Sequence, residues 1–136
     1  MIIERGEGIH VYDDQGKEYI EGLAGLWSVA VGFGEERLVQ AAAKQMRSLP
    51  YYHSFAHKSH PTVIDLAERL ISIAPNGLSK VQFTNSGSEA NDLAIKLVWY
   101  YNNALGRPQK KKIISRERAY HGVTIAAASL TGLPWN

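Results

Sequence analysis

The sequence predicts an α/β fold, and three patterns carry that prediction. The second half alternates strand-like and helix-like segments, an order that builds a parallel sheet with right-handed crossovers. The first half carries a period-two hairpin pattern and then apolar residues at helical spacing. Glycine and proline clusters punctuate the segments, as turns require.

Ile9, Val11 and Tyr19 alternate with polar neighbours around Asp13-Asp14-Gln15-Gly16, which predicts a β-hairpin. Gly22-Leu23-Ala24-Gly25-Leu26-Trp27 and Gly32-Phe33-Gly34 are apolar, glycine-rich and aperiodic. They read as a packed loop whose backbone passes close to something. Leu38, Val39, Ala42, Met46 and Leu49 predict a helix over 35–49, ended by Pro50. A loop over 51–60 carries three histidines and three aromatics. Pro61 suits the first turn of the next helix, where its missing N–H would be unpaired anyway. Val63, Ile64, Ala67, Leu70, Ile71 and Ala74 form that helix's stripe, and Pro75-Asn76-Gly77 stops it.

Val81-Gln82-Phe83-Thr84 reads as a short strand, Asn85-Ser86-Gly87-Ser88 as a small-residue loop, and 89–105 as a helix closed by Gly106 and Pro108. Lys112-Ile113-Ile114-Ser115 reads as the next strand, 116–122 as a loop and 123–130 as a helix. Two strands do not make a stable open sheet, so a parallel sheet would only begin here.

The composition is that of an ordinary globular domain. It is 45% hydrophobic and 21% charged with a net charge of +2, which does not suggest disorder. The one dense basic run, Lys110-Lys111-Lys112, leads into Ile113-Ile114 and reads as a solvated strand entrance; nothing else resembles a nucleic-acid footprint. There is no cysteine, which excludes disulfides, thiolate catalysis and Cys-based zinc sites. No apolar stretch is long enough for a membrane span, and the N-terminus lacks a signal-peptide run. A reducing, cytoplasmic setting is the expectation.

Asn85-Ser86-Gly87-Ser88-Glu89 stands between a predicted strand and a helix. A helix N-terminus offers unpaired N–H groups and a positive dipole end. Glycine admits an anion to the backbone and serine hydroxyls add donors, so the segment can cradle a phosphate. Ser followed by Glu is equally a capping box, and the local pattern fits either. It is neither a nucleotide P-loop nor a Rossmann fingerprint, since the required lysine and glycine spacings are absent. Ala119-Tyr120-His121-Gly122 follows the next predicted strand. Ligand sites of parallel sheets lie at strand carboxyl ends, so both loops should open on one edge. One could hold an anion and the other could stack an aromatic ring on a flat ligand; Tyr120-His121 taken singly also reads as a packed aromatic beside an exposed histidine. A flat ring bearing a phosphate, as in pyridoxal phosphate, satisfies both loops. His53, His57 and His60 are spaced four and three apart, but Pro61 argues against one continuous helix. No carboxylate or cysteine completes a metal set, so no metal site is expected.

Together these segments resemble the class III pyridoxal-phosphate-dependent aminotransferases, of the omega-transaminase or amine:pyruvate type. The resemblance spans nearly the whole chain and rests on Gly22–Trp27 with Gly32–Gly34, on Phe83 through Asp92, and on Tyr120-His121-Gly122. It implies the N-terminal portion of a fold-type I transferase. Residues 1–50 would belong to the small domain with its hairpin and helix; 51–136 would form an interface loop and the start of the large cofactor-binding domain. It also implies roles. Gly87 and Ser88, with Ser86 beside them, would hold the phosphate of pyridoxal 5'-phosphate. Tyr120 would stack on its ring and His121 would orient the loop. Leu26, Trp27 and Phe55 would line the substrate pocket, with Tyr51, Tyr52 and Phe55 near the subunit interface of a homodimer.

The implied activity is transfer of an amino group from an amine or omega-amino acid to a keto acid such as pyruvate. The family's cofactor-bound lysine and the aspartate that pairs with the pyridine nitrogen lie downstream of Tyr-His-Gly. The chain therefore reads as an N-terminal fragment without a catalytic residue of its own. The alternative is a catalytically inactive module that binds a phosphate compound or only packs against a partner chain.

Overall fold

A computed structural model describes residues 1–135. The chain divides into two compact units at Ile64 and Asp65, a division that falls within one helix, α3 (Pro61–Ile73).

In the first unit, β1 (Ile3–Glu7), β2 (His10–Asp13) and β3 (Glu18–Ile20) form an antiparallel sheet in that order. The predicted hairpin is β2–β3, with Val11 opposite Tyr19 and Tyr12 opposite Glu18. Val11 is buried, as its place in the alternation requires. Strand β1 was not expected, because Ile3-Glu4-Arg5-Gly6-Glu7 lacks a clean apolar alternation. It pairs with β2 through a register irregularity between Ile3 and Arg5, and the Arg5 guanidinium lies 3.4 Å from the Tyr12 ring centroid.

Asp13 holds the turn between β2 and β3. Its Oδ1 accepts the N–H groups of Gln15 and Lys17 at 3.0 and 2.9 Å, and its Oδ2 accepts the Tyr19 hydroxyl at 2.8 Å. This is the local side-chain-to-backbone bonding that makes aspartate a turn former.

The close approach inferred for the glycine-rich stretch is to β1. Phe33 and Gly8 exchange backbone hydrogen bonds of 3.0 and 2.8 Å. The Phe33 ring lies over Gly6, where a Cβ would sit 2.5 Å from Phe33 Cγ. No side chain fits at Gly6 beneath that ring.

Between β3 and Phe33 runs a short turn, α1 (Ala24–Trp27). Then α2 (Glu36–Ser48) follows the predicted helix to within one residue at each end. Glu35 caps it, accepting the Arg37 N–H at 3.2 Å and the Arg37 Nε at 2.7 Å. The side-chain bond from Arg37 holds the Glu35 carboxyl below its usual pKa. Pro61 opens α3, as expected. No residue of α2 or α3 is buried.

The second unit is built on α4 (Gly87–Ala104) and α5 (Ile125–Leu130). The N-terminus of α4 lies two residues earlier than predicted, so Gly87 and Ser88 belong to its first turn. Ile95 of α4 and Ala127 of α5 are buried. The Leu105 N–H returns to Tyr101 O at 3.1 Å and the Gly106 N–H to Asn103 O at 3.0 Å, with Gly106 at φ +68°. This is the glycine-terminated helix end expected there. The return segment is tied back to α4 by Trp99 Nε1, which donates to Lys111 O at 2.9 Å.

One expectation is corrected. The segments 81–84 and 112–115 are not strands here, and the parallel strand pair does not form. A strand exists through its ladder. Among the described residues neither segment has an edge to pair with, and Ile114 is almost fully exposed. The only sheet among the described residues is the antiparallel one of the first unit.

Tyr19's hydrogen bond, followed by that of the Lys17 N–H, holds the Asp13 carboxyl below its usual value of 3.8. The sign follows from linkage: this contribution to the turn is complete above pH 3.8 and is lost as pH falls through the depressed folded value. Asp13→Asn should lower amide-exchange protection at Gln15 and Lys17 at neutral pH and remove its acid dependence. Unchanged protection across the titration would exclude this role.

Candidate functional site

Ser86 is the N-cap of α4, with extended backbone at φ −155° and ψ 162°. Its Oγ accepts the Glu89 N–H at 3.1 Å, and Glu89 Oε2 accepts the Asn85 N–H at 2.9 Å. The N-cap half of the box anticipated from Ser-x-x-Glu is therefore made, while the Glu89 carboxylate reaches back one residue further, to the N–H before the N-cap. It does not use every donor of the first turn. Of the first-turn N–H groups, Glu89 gives its own to Ser86 Oγ and Ala90 gives its own to Ser86 O at 3.0 Å. The N–H groups of Gly87 and Ser88 remain for a ligand. The space a Cβ would take at Gly87 is open, with no atom within 4 Å. The one acidic side chain of the turn, Glu89, is folded back onto Asn85, away from that opening.

The loop carrying Tyr120 is fastened to the same end of α4. The Val123 N–H donates to Ser88 Oγ at 3.0 Å across 35 residues of sequence. Asn91 Nδ2 donates to the His121 carbonyl at 2.6 Å. Asp92 Oδ1 accepts from the Thr124 hydroxyl at 2.8 Å and from the Ala127 N–H at 2.9 Å. A carboxylate of one helix thus caps the start of another, since Thr124 is the N-cap of α5 but makes no side-chain cap of its own. From the far end of α5, the buried Thr131 hydroxyl accepts the His121 N–H at 3.0 Å and donates to the Gly122 carbonyl at 3.1 Å.

Ser88, Tyr120 and His121 consequently line one cavity of about 450 Å³, together with Ser86, Gly87 and Asn91. That volume lies within the range of small-molecule pockets. The Tyr120 side chain is 60% exposed and free to present a ring face. Ser88 Oγ already accepts one N–H, so its own proton is left to donate.

His121 is the residue expected to orient this loop. Its backbone, through the bonds to Asn91 and Thr131, ties the loop down. The ring Nε2 is buried without a protein partner. Asn91 and Asp92 were legible only as letters of the family motif, and Thr131 carried no signal at all. A polar pair one turn into a helix, facing a loop thirty residues on, has no periodic signature.

Leu26, Trp27 and Phe55 lie in the first unit, with Trp27 and Phe55 each 79% exposed. Trp27 stands in an unusual turn. Ala24, Gly25, Leu26 and Trp27 have φ of +50°, +59°, +59° and +66°. For non-glycine residues this left-handed region costs about 1–2 kcal/mol each, and such strain gathers at functional segments. Phe55 donates its N–H to His53 Nδ1 at 3.2 Å, and the Tyr52 and His53 rings stack at 4.7 Å. His53 and His57 lie in that loop, His60 precedes α3, and among the described residues no group of three or more ligating side chains could hold a metal ion.

Gly122 carries a specific prediction. A Cβ there would sit 2.5 Å from Ser88 Oγ and 2.9 Å from Ala127 Cβ, on a backbone at φ +128°. In the complete protein Gly122→Ala should destabilise by about 1–3 kcal/mol, the usual range for overpacking, read as a drop in unfolding midpoint. An unshifted midpoint would mean that the loop is not seated on α4.

The Aminotransferase class-III family model matches residues 1–134. The gamma aminobutyrate transaminase 1 of Solanum lycopersicum is 58% identical over 135 residues, covering 98% of this chain and 26% of its own. The vanillin aminotransferase of Capsicum annuum is 56% identical, with 98% and 29% covered. Among solved structures, the omega transaminase of Pseudomonas jessenii in complex with PMP superposes with a TM-score of 0.96 at 66% identity, over 99% of this chain and 30% of that one. A thermostable omega transaminase variant engineered for asymmetric synthesis of enantiopure bulky amines gives 0.96 at 65% identity over the same shares. The chain spans between a quarter and a third of the length of these relatives. With the family model matched over residues 1–134 and a fold shared at this identity, the chain belongs to the class III aminotransferases.

Proposed function

We propose that the whole protein is a pyridoxal-phosphate-dependent aminotransferase that moves an amino group from an amine or omega-amino acid to a keto acid such as pyruvate. These residues contribute its phosphate cup, its ring plate and one wall of its substrate pocket. The observation that carries the reading is the single cavity shared by Ser88 and Tyr120, closed by the bond from the Val123 N–H to Ser88 Oγ.

The residues present fit the cofactor. An anionic phosphate needs donors and no competing carboxylate. The first turn of α4 offers the Gly87 and Ser88 N–H groups, the Ser88 hydroxyl proton and the helix dipole. A planar heterocycle needs an aromatic face, which Tyr120 supplies. When bound, pyridoxal phosphate supplies the electron sink that makes a bond to the substrate's amine-bearing carbon labile. The part of this chain is to bind and orient: Ser88 and Gly87 hold the phosphate, Tyr120 fixes the plane of the ring, and the Asn91, Asp92 and Thr131 bonds keep both in register. No catalytic acid or base is assigned within these residues.

The amine side of the reaction is supported by the relatives. Two residues replaced in the bulky-amine variant, a tryptophan and a phenylalanine, stand as far apart along that chain as Trp27 and Phe55 do here. Leu26, Trp27 and Phe55 are accordingly proposed as the substrate-facing wall. A homodimer is proposed with them, the exposed Tyr51, Tyr52 and Phe55 lying at its subunit contact.

In the complete enzyme Ser88→Ala should weaken cofactor retention by about 1.5–3 kcal/mol, the worth of a hydrogen bond to a charged group, measured by equilibrium dialysis of the cofactor. Undiminished affinity would remove Ser88 from the cup. Tyr120→Ala should loosen the ring and shift the cofactor's absorption, whereas Tyr120→Phe should retain most of the stacking. Identical spectra and affinities for Tyr120→Ala and the parent would count against the plate. Residues 1–136 alone, supplied with cofactor, amine and pyruvate, should show no turnover; activity would locate a catalytic base within them.

A further inference from the structure

The turn that presents Leu26 and Trp27 is left-handed over four successive residues, and three of them are not glycine. Its internal bonds are helical: the Trp27 N–H reaches Leu23 O, and the Ser28 and Val29 N–H groups both reach Ala24 O, each at 2.9 Å. Such a turn leaves its first N–H groups unpaired, as any helix start does. Here they are taken by one side chain. Glu21 Oε1 accepts the Leu23 N–H at 3.0 Å and Oε2 accepts the Gly25 N–H at 2.6 Å.

Glu21 is itself anchored. It lies directly after β3, and its own N–H donates to Ile9 O at 2.9 Å. Neither oxygen is in an ion pair among the described residues. Both oxygens of this half-buried carboxylate are spent on the turn. At Gly25 a Cβ would come within 2.9 Å of Val29 Cγ2, so the turn is also packed against the Val29 side chain.

We infer that Glu21 is a positioning residue for the substrate wall. Its carboxylate couples the edge of the sheet to the strained turn and so sets where Leu26 and Trp27 stand, and with them the size of amine that is admitted. The inference rests on the proposed role of Trp27 as a pocket wall. It assigns no chemistry to Glu21, which acts through the backbone of residues 23–27. A carboxylate is needed because two acceptors must face two N–H groups. Glutamine would offer one acceptor and set an NH₂ against the other donor, leaving the turn free to relax toward right-handed backbone.

The test uses the complete, cofactor-loaded enzyme. kcat and KM are measured for a small and a bulky amine in the parent, in Glu21→Gln, in Trp27→Ala and in the double variant, with unfolding midpoints alongside. Trp27→Ala should move the ratio of the two kcat/KM values toward the bulky amine by about tenfold or more, the scale of a pocket-size effect. Glu21→Gln should move the ratio in the same direction, chiefly through KM. The double variant should show little beyond Trp27→Ala alone, as coupled sites do. Glu21→Asp, which keeps two acceptors on a shorter stem, should show a smaller shift and serves if Glu21→Gln does not fold.

A Glu21 variant that slows both amines equally would show a support of the fold only and would overturn the inference. So would additive effects in the double variant. If Trp27→Ala itself left the ratio unmoved, the pocket reading would fail, and the inference with it.

Discussion

The bond from the Val123 amide to the Ser88 hydroxyl joins two parts of the chain that sequence keeps 35 residues apart. On one side stands a helix start able to hold an anion; on the other, a loop able to offer an aromatic face. Neither is a site alone, since helix starts and exposed tyrosines are common. Their value comes from a fixed separation, and a hydroxyl is well suited to fixing it. It takes an N–H on its lone pair and still has a proton to give. The surrounding bonds from Asn91, Asp92 and Thr131 serve the same end from three directions, and Gly122 is what lets the loop come close enough.

Backbone groups carry the chemistry of both units. In the second, the first N–H groups of α4 are left open among the described residues, and side chains hold the backbone in place. In the first, the same problem of unpaired N–H groups at a turn is solved internally, by Glu21. The difference tracks what each turn presents. A turn with open donors is able to take an anion, whereas a turn whose donors are satisfied can display apolar side chains.

Helices α2, α3 and α4 were legible from apolar spacing and proline placement, and the hairpin from alternation about Asp13-Asp14-Gln15-Gly16. Strand β1 was not, because Arg5, Gly6 and Glu7 give no alternation and its place is set by pairing with β2. The segments at 81–84 and 112–115 have strand composition without strand structure, since composition proposes a strand and only a neighbouring edge makes one. That Ser86, Gly87, Ser88 and Tyr120 would open on one space was legible, because both loops follow from the order of elements in the chain. Glu21, Asn91, Asp92 and Thr131 were not, because their task is defined by distant backbone groups. The capping and cradling readings of Ser86–Glu89 looked like rivals in the sequence; in space, capping takes the N–H groups of Asn85 and Glu89 and leaves those of Gly87 and Ser88 open.

Helix α2 shows Leu38, Val39 and Met46 to solvent, and none of its thirteen residues is buried. Water-soluble monomers seldom leave so many greasy side chains uncovered. Handled by itself in aqueous buffer, this stretch would therefore be sticky. Copies would clump through that flank, and colloidal behaviour would improve with a covering partner or a mild detergent.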